Sequence, residues 1–290
     1  MPTATSVEAL GEGDHACLTF SDPDERLDIV AAFVRDGLVR SSKVVCLTES
    51  VPPDRLAAEL IDRGVPAPDT LPADQLLIFS SEETWLAGGA SGATNMIKTL
   101  ERHLDDARRQ GYAGLRITAD MCWVNRPAAA ADQLPMFESA VGALFDDGGL
   151  AAICQYDREI FDAVTLALAT STHTHTVAAA VYYEDPMLRI CRQHSPPGMR
   201  LAGEIDYNHV EEFTVALAEA VRLDQDIQVN LGKLRFLDVA CATAIAHAAV
   251  GLPAGRVMSI VCGDPVERVL RLVGVTSIAA VRVVRTHGEH

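Results

Sequence analysis

Basic side chains are in short supply: 24 Lys and Arg stand against 40 Asp and Glu, a formal net charge of −16. Charge-driven binding to nucleic acid or to an anionic membrane needs a basic face, so both are excluded as expected partners. No apolar run approaches the roughly 18 residues of a membrane-spanning helix. The leading Met-Pro-Thr-Ala-Thr-Ser has neither a basic segment nor an apolar core, so the expectation is a cytoplasmic protein without membrane association. No two of the seven cysteines form a C-x-x-C pair, which removes the usual redox and zinc-ribbon spacings and predicts reduced, buried small hydrophobes. A G-x-S-x-G elbow is also missing, and with it the sequence support for a Ser-His-Asp hydrolase.

What remains is ample material for folding. Hydrophobic residues make up 49% and charged residues 22% of 290 positions, enough for two domains with cores of their own. Strand and helix signals alternate over the first 180 or so residues, the pattern of βαβ units and a mostly parallel sheet with flanking helices. Strands are predicted at 15–20, 43–48, 76–79, 114–118 and 150–154. Helices are predicted at 26–39, from Pro52 to Arg63, and at 94–110, 134–145 and 158–168. Residues 174–187, with Glu184-Asp185-Pro186, read as the junction. A smaller α/β unit follows, over 186–290. It opens with strands at 188–194 and 199–205 around Ser195-Pro196-Pro197-Gly198, whose composition is that of a turn. A helix at 208–222 and a strand at 227–231 come next, with a short loop before Phe236-Leu237-Asp238 and an alanine-rich helix. Strands at 257–262 and 280–284 flank a helix opened by Asp264-Pro265, an N-cap followed by proline at the first helical position.

Asp238 stands where its carboxylate would accept from the unpaired N–H groups of the alanine-rich helix. The run 227–241 resembles the signature of STAS domains, the fold of bacterial anti-sigma factor antagonists: a strand, Phe-(Ile/Leu)-Asp-Ser-Ser-Gly, and a helix. Leu201-Ala202-Gly203-Glu204-Ile205-Asp206 and Val269 to Val275 extend the resemblance. It implies a partner-binding surface at Asp206, Asp238, Val239, Ala240, Cys241 and Thr243, and an anti-sigma factor of the ATPase/kinase fold, or a related switch protein, as partner. Ala240 occupies the position that is phosphorylated in switching antagonists, and alanine accepts no phosphate. A phosphoryl group there would add roughly −1.5 to −2 charges. Thr243 is the nearest hydroxyl, and a helical Thr more often bonds a carbonyl one turn earlier.

The first unit resembles a second family. Gly13-Asp14-His15-Ala16-Cys17, Phe33-x-x-x-Gly37-Leu38, Lys43-Val44-Val45, Trp85-Leu86-x-Gly88, Gly114 to Thr118, Met121-Cys122-Trp123 and Cys154-Gln155-Tyr156-Asp157 are similar, in order along the chain, to the MEDS sensory domain. That resemblance spans most of 10–180. It implies a relative of the RecA/KaiC fold that senses small organic compounds upstream of signalling modules, with no catalytic residue, metal or cofactor of its own.

Ligands of open α/β sheets bind beyond the carboxyl ends of the strands. The residues there are Asp22, Glu49, Ser80-Ser81-Glu82 with Trp85, Asp120 with Trp123, and Tyr156-Asp157-Arg158. His15 and Cys17, two apart on the first strand, join them as candidate ligand-binding residues. Aromatics with a few carboxylates suit an apolar pocket with polar anchors; the simpler reading is that the tryptophans cap the core. The phosphate-loop position after the first strand holds Ser21-Asp22-Pro23-Asp24-Glu25 in place of G-x-x-x-x-G-K-[S/T], a degenerate loop that repels anions. Gly88 to Thr94 is the other candidate anion site. His173 and His175 would share one face of a strand, and with His15 or a cysteine they offer metal-donor chemistry; hydrogen-bonded histidines at a sheet edge are the plainer reading. The function expected is a non-enzymatic ligand sensor coupled to a STAS output. The alternatives are an ATP-binding or ATPase-like protein with a degenerate loop, a scaffold subunit of a STAS signalling assembly, and a homodimer that uses the STAS surface for self-association.

Overall fold

The computed structural model describes residues 3–84, 93–126 and 133–285. It divides into two compact units, Met1–Ala178 and Ala179–His290.

The first unit is built on β1 (Thr3–Thr5), β2 (His15–Phe20), β3 (Lys43–Thr48), β4 (Leu76–Ser80), β5 (Leu115–Asp120), β6 (Leu150–Asp157) and β7 (His175–Val177). These strands form one sheet in the order β1-β7-β2-β6-β5-β3-β4, and every pairing is parallel. Parallel strands are covered on both faces, so they read as continuous apolar runs; every residue of β3 and β5 is buried. The connecting helices are α1 (Pro23–Val39), α2 (Pro53–Asp62), α3 (Ala93–Arg109), α4 (Gln133–Val141) and α5 (Ala163–Thr172). In α3 the buried positions Met96, Leu100, His103, Leu104 and Ala107 follow helical spacing, which leaves its charged residues to the solvent side.

Two strands emerge that the pattern did not indicate. β1 and β7 are three residues each, too short for a period-2 signal. His173 is not on a strand with His175: it caps α5, and the chain turns between them. The helix expected at 158–168 begins only at Ala163, where Asp162 accepts from the N–H groups of Val164 and Thr165. The loop carrying Gly88 to Gly92, and Trp85, lie outside the described residues.

The second unit has β8 (Val181–Glu184), β9 (Leu188–His194), β10 (Pro197–Ile205), β11 (Ile227–Leu237), β12 (Met258–Cys262) and β13 (Val281–Arg285), with α6 (Val210–Leu223), α7 (Val239–Val250) and α8 (Asp264–Leu272). The sheet order is β13-β12-β11-β10-β9-β8; β9 is antiparallel to its neighbours β8 and β10, and the other pairings are parallel. Its core is apolar, formed by residues such as Leu201, Phe213, Val229, Ile245 and Leu270. β8 occupies part of the stretch read as a junction.

The short strand expected at 227–231 instead continues to Leu237. Its buried residues change parity, from Ile227, Val229 and Leu231 to Leu234 and Leu237. The pairing with β10 shifts register between Arg200 and Ala202 and again between Gly203 and Glu204, so irregular steps in the ladder carry the strand where simple alternation fails. Gly203 lies beside these steps with φ +106°, and a Cβ there would sit 2.0 Å from the Met187 carbonyl oxygen. Only glycine fits that approach.

Candidate functional sites

Among the described residues, the side chains at the carboxyl ends of the first sheet fall into separate groups. Asp22 caps α1, its side chain accepting from the Asp24 N–H. The helix start that would hold a phosphate is thus occupied by the protein's own carboxylate, with Asp24 and Glu25 in the first turn. Arg26 is turned inward. Its Nη2 is 2.9 Å from Asp120 Oδ2, its Nη1 donates to Ser50 Oγ at 2.7 Å, and its Nε donates to Gln155. Asp120 also accepts from the Ser50 hydroxyl and N–H and from the Cys122 N–H. Burial alone would raise the Asp120 carboxyl; Arg26 and the Ser50 and Cys122 donors outweigh it and hold the group below its usual range. The result is a satisfied internal lock between α1, the end of β3, β5 and β6.

The other rim residues separate from this lock. Glu49 pairs with Arg126, which also reaches Glu82 at the surface. Trp123 is wholly buried in the core, in keeping with the capping reading. Arg158 is exposed and donates to Thr19 Oγ1.

His15, Cys17 and Tyr156 meet in a second, buried place. His15 and Cys17 share a face of β2, and in β6 Cys154 pairs with Cys17 while Tyr156 lies two residues on. Against this face stand Glu138 of α4 and His173 at the end of α5. The Tyr156 hydroxyl donates to Glu138 Oε1. His15 Nε2 lies 3.4 Å from Cys154 Sγ, and the His15 and His173 rings are 3.9 Å apart. His173 Nδ1 is 2.6 Å from the Ala169 carbonyl oxygen, and its Nε2 is 3.7 Å from Glu138 Oε2. Burial pushes Glu138 up to about 7 against the pull of the Tyr156 hydroxyl. Burial lowers His173 to about 4 and, helped by His173, depresses His15 well below its normal range. It also drives Cys17 up to about 12 and Cys154 well above the ordinary thiol range. Both imidazoles and both thiols are therefore neutral at pH 7.

Sequence reasoning singled out His15, Cys17 and Tyr156, but missed Glu138 and the part played by Cys154. The available signal was Glu138 itself, an acid beside Phe137 and three before Val141 on the apolar stripe of α4. Nearby, a small pocket of about 180 Å³ is lined by residues including Leu134, Pro135, Phe161, Thr165 and Leu168. Phe161 forms its wall and stands edge-on to Tyr156 with ring centroids 5.2 Å apart.

In the second unit Asp238 caps α7 as expected, accepting from the Cys241 N–H at 2.8 Å. Thr243 donates to the Val239 carbonyl at 2.7 Å, the back-bond expected of a helical Thr. Cys241 is not part of the surface: it is buried and lies 3.2 Å from the Asp206 carbonyl oxygen, tying the β10 end to α7. Around the helix start the exposed side chains are Ala240, Val239 at 54% and Phe236 at 50%, with Asp206 and Asp238 half-buried. All seven cysteines are free and buried. Among the described residues, no helix is long and apolar enough to cross a membrane.

No curated protein matches this chain. Among solved structures, the flagellar accessory protein FlaH from Methanocaldococcus jannaschii is similar at 9% identity and a TM-score of 0.43, covering 65% of this chain and 83% of its own. A STAS domain family described as Mlab matches residues 189–284. The MEDS family, described as the MEthanogen/methylotroph, DcmR Sensory domain, matches residues 14–174. That match takes in more than half of the chain, which therefore belongs to the MEDS family and carries a STAS-type domain behind its sensory unit.

Proposed function

We propose that the protein is a non-enzymatic, cytoplasmic signalling regulator. The MEDS unit senses a small organic ligand, and the STAS unit binds an anti-sigma factor or a related ATPase-fold switch protein without phosphorylation at the helix start. The observation that carries this reading is the exposed apolar group of Phe236, Val239 and Ala240 beside the Asp238 cap. A partner surface is apolar at its centre with polar residues at its rim. The motif offers no hydroxyl of its own, and the nearest one, on Thr243, is engaged with a backbone carbonyl. The 180 Å³ pocket beside Phe161 suits a ligand of a few heavy atoms. The carboxylate-capped start of α1 supports a role without nucleotide hydrolysis.

The test measures binding of the full chain to purified anti-sigma ATPase-fold proteins of the source organism, for the native sequence, Ala240→Glu and Thr243→Ala. Ala240→Glu is expected to weaken binding by tenfold or more, because it brings a charge into the apolar centre; Thr243→Ala is expected to leave it unchanged. Equal binding by the native chain and Ala240→Glu would remove the surface from the mechanism. In the same preparations, calorimetry with Mg-ATP is expected to give no heat of binding, and a saturable heat would restore the nucleotide-binding alternative.

A further inference from the structure

We infer that His15, Cys154 and His173 form a buried site for one zinc ion inside the MEDS unit, with the Glu138 carboxylate beside His173. The inference does not depend on the sensing or partner-switching reading, since it concerns how the four side chains are placed.

His15, Cys154 and His173 each offer one donor atom, and these three atoms all lie within 4.8 Å of one another. The tautomer of His173 follows from its neighbour. Nδ1 faces the Ala169 carbonyl at 2.6 Å, a contact that only an N–H can make, so Nε2 carries a lone pair. Ligating histidines are held in this way, with the second ring nitrogen donating to a backbone carbonyl or carboxylate. Nε2 is buried with no hydrogen-bond partner among the described residues, and so is Glu138 Oε2, which faces it. Their separation of 3.7 Å is too long for a proton to bridge them.

A cation accounts for that spacing. With ordinary zinc bond lengths and tetrahedral angles, N and O donors stand about 3.4 Å apart and N and S donors about 3.6 Å apart. The observed separations are 3.7 Å for His173 to Glu138 and 3.4 Å for His15 to Cys154. Two imidazoles and a thiolate suit a borderline-soft ion, and Glu138, outside the group of three but beside His173, completes four donors by a shift of its carboxylate toward the ion. The imidazoles are already neutral and therefore in the ligating form. The Cys154 thiol is protonated when no ion is bound, so binding replaces S–H by S–Zn and releases that proton to solvent, together with the share of a proton that Glu138 carries near pH 7. The second carboxylate oxygen, Oε1, is held by the Tyr156 hydroxyl, which fixes the orientation of the donor oxygen.

The full chain, stripped with a chelator and dialysed, is titrated with Co²⁺ and then Zn²⁺. The expected result is one equivalent of Co²⁺, tetrahedral d–d bands, a near-ultraviolet thiolate-to-cobalt charge-transfer band, and displacement of all of these by Zn²⁺. Cys154→Ser is expected to lose the charge-transfer band, whereas Cys46→Ala, whose thiol lies elsewhere in the sheet, retains it. Circular dichroism establishes that each variant is folded. Glu138→Gln provides a second arm: it keeps the charge-transfer band, shifts the d–d bands and binds roughly tenfold more weakly. Absence of stoichiometric binding by the native chain overturns the site. So does a charge-transfer band that survives in folded Cys154→Ser, or identical spectra and affinity in Glu138→Gln.

Discussion

Arg26 and Asp120 meet at 2.9 Å with both side chains almost wholly withdrawn from solvent, joining the first turn of α1 to the end of β5. Here the positive charge comes from α1 itself and the negative charge from the sheet, and Ser50, Gln155 and Cys122 complete the hydrogen bonding.

Removing one partner is more damaging than removing both. Asp120→Ala leaves a buried guanidinium without its counter-charge, and the expected loss is about 3–5 kcal/mol in chemical denaturation. An Arg26→Met, Asp120→Leu double replacement is expected to lose less than the single one. Because the folded-state Asp120 carboxyl lies below its unfolded value, its contribution is present above the unfolded pKa and lost as pH falls through the folded one. The gap between native protein and Asp120→Ala therefore narrows on acidification, and equal gaps at pH 7 and in acid would show that the pair carries no net charge energy.

Asp185 offers a pH test in the second unit. Its carboxylate accepts from the Met187 and Leu188 N–H groups at 2.7 Å, from the Tyr183 hydroxyl and from His209 Nε2 at 3.0 Å. The two backbone donors, then Tyr183 and His209, hold the carboxyl well below the usual range. Stability from this group is present above the unfolded value of about 3.9 and fades as pH drops below it. Asp185→Asn is expected to lower the Tm at pH 7 and to lose that deficit progressively under acid. A deficit independent of pH would place the effect in packing.

Gly203→Ala is expected to destabilise the STAS unit by at least about 1–3 kcal/mol, since it combines a left-handed backbone angle with a clash against the Met187 carbonyl. Urea unfolding of the full chain, followed with a probe in each unit, would place the loss in the second transition. An unaltered midpoint would mean that the β9–β10 ladder moves apart without cost.

Much of this architecture is legible in the residues. Val44 to Leu47 could only be a doubly covered strand, and Asp238 marks the start of α7 by capping its unpaired N–H groups. Asp264, expected to cap α8, is instead its first helical residue; Gly263 holds the cap position without a side-chain hydrogen bond. The candidate site is less legible because its parts come from distant elements. Cys17 and Cys154 are register partners, and His15 comes within reach of Cys154, only once β2 and β6 are paired, and no local pattern states that pairing. Glu138 and Arg26 are both buried because other elements supply their partners, Tyr156 for the first and Asp120 and Gln155 for the second. Alternation failed in β11 for a similar reason, since the irregular register is set by the neighbouring β10. The surface around Ala240 was readable from the sequence because its residues are consecutive and the strand-to-helix turn is local.

The strand order has a consequence for the newborn chain. β1 pairs with β7, and β7 lies between β1 and β2. While the polypeptide is leaving the ribosome, the first strand has nothing to join until residues 175–177 emerge. The same interval delivers His173, so the buried His-Cys-Glu group and the closed edge of the sheet are completed in one late event. A chain stopped before that point keeps its central strands, but lacks both the seam and the last donor.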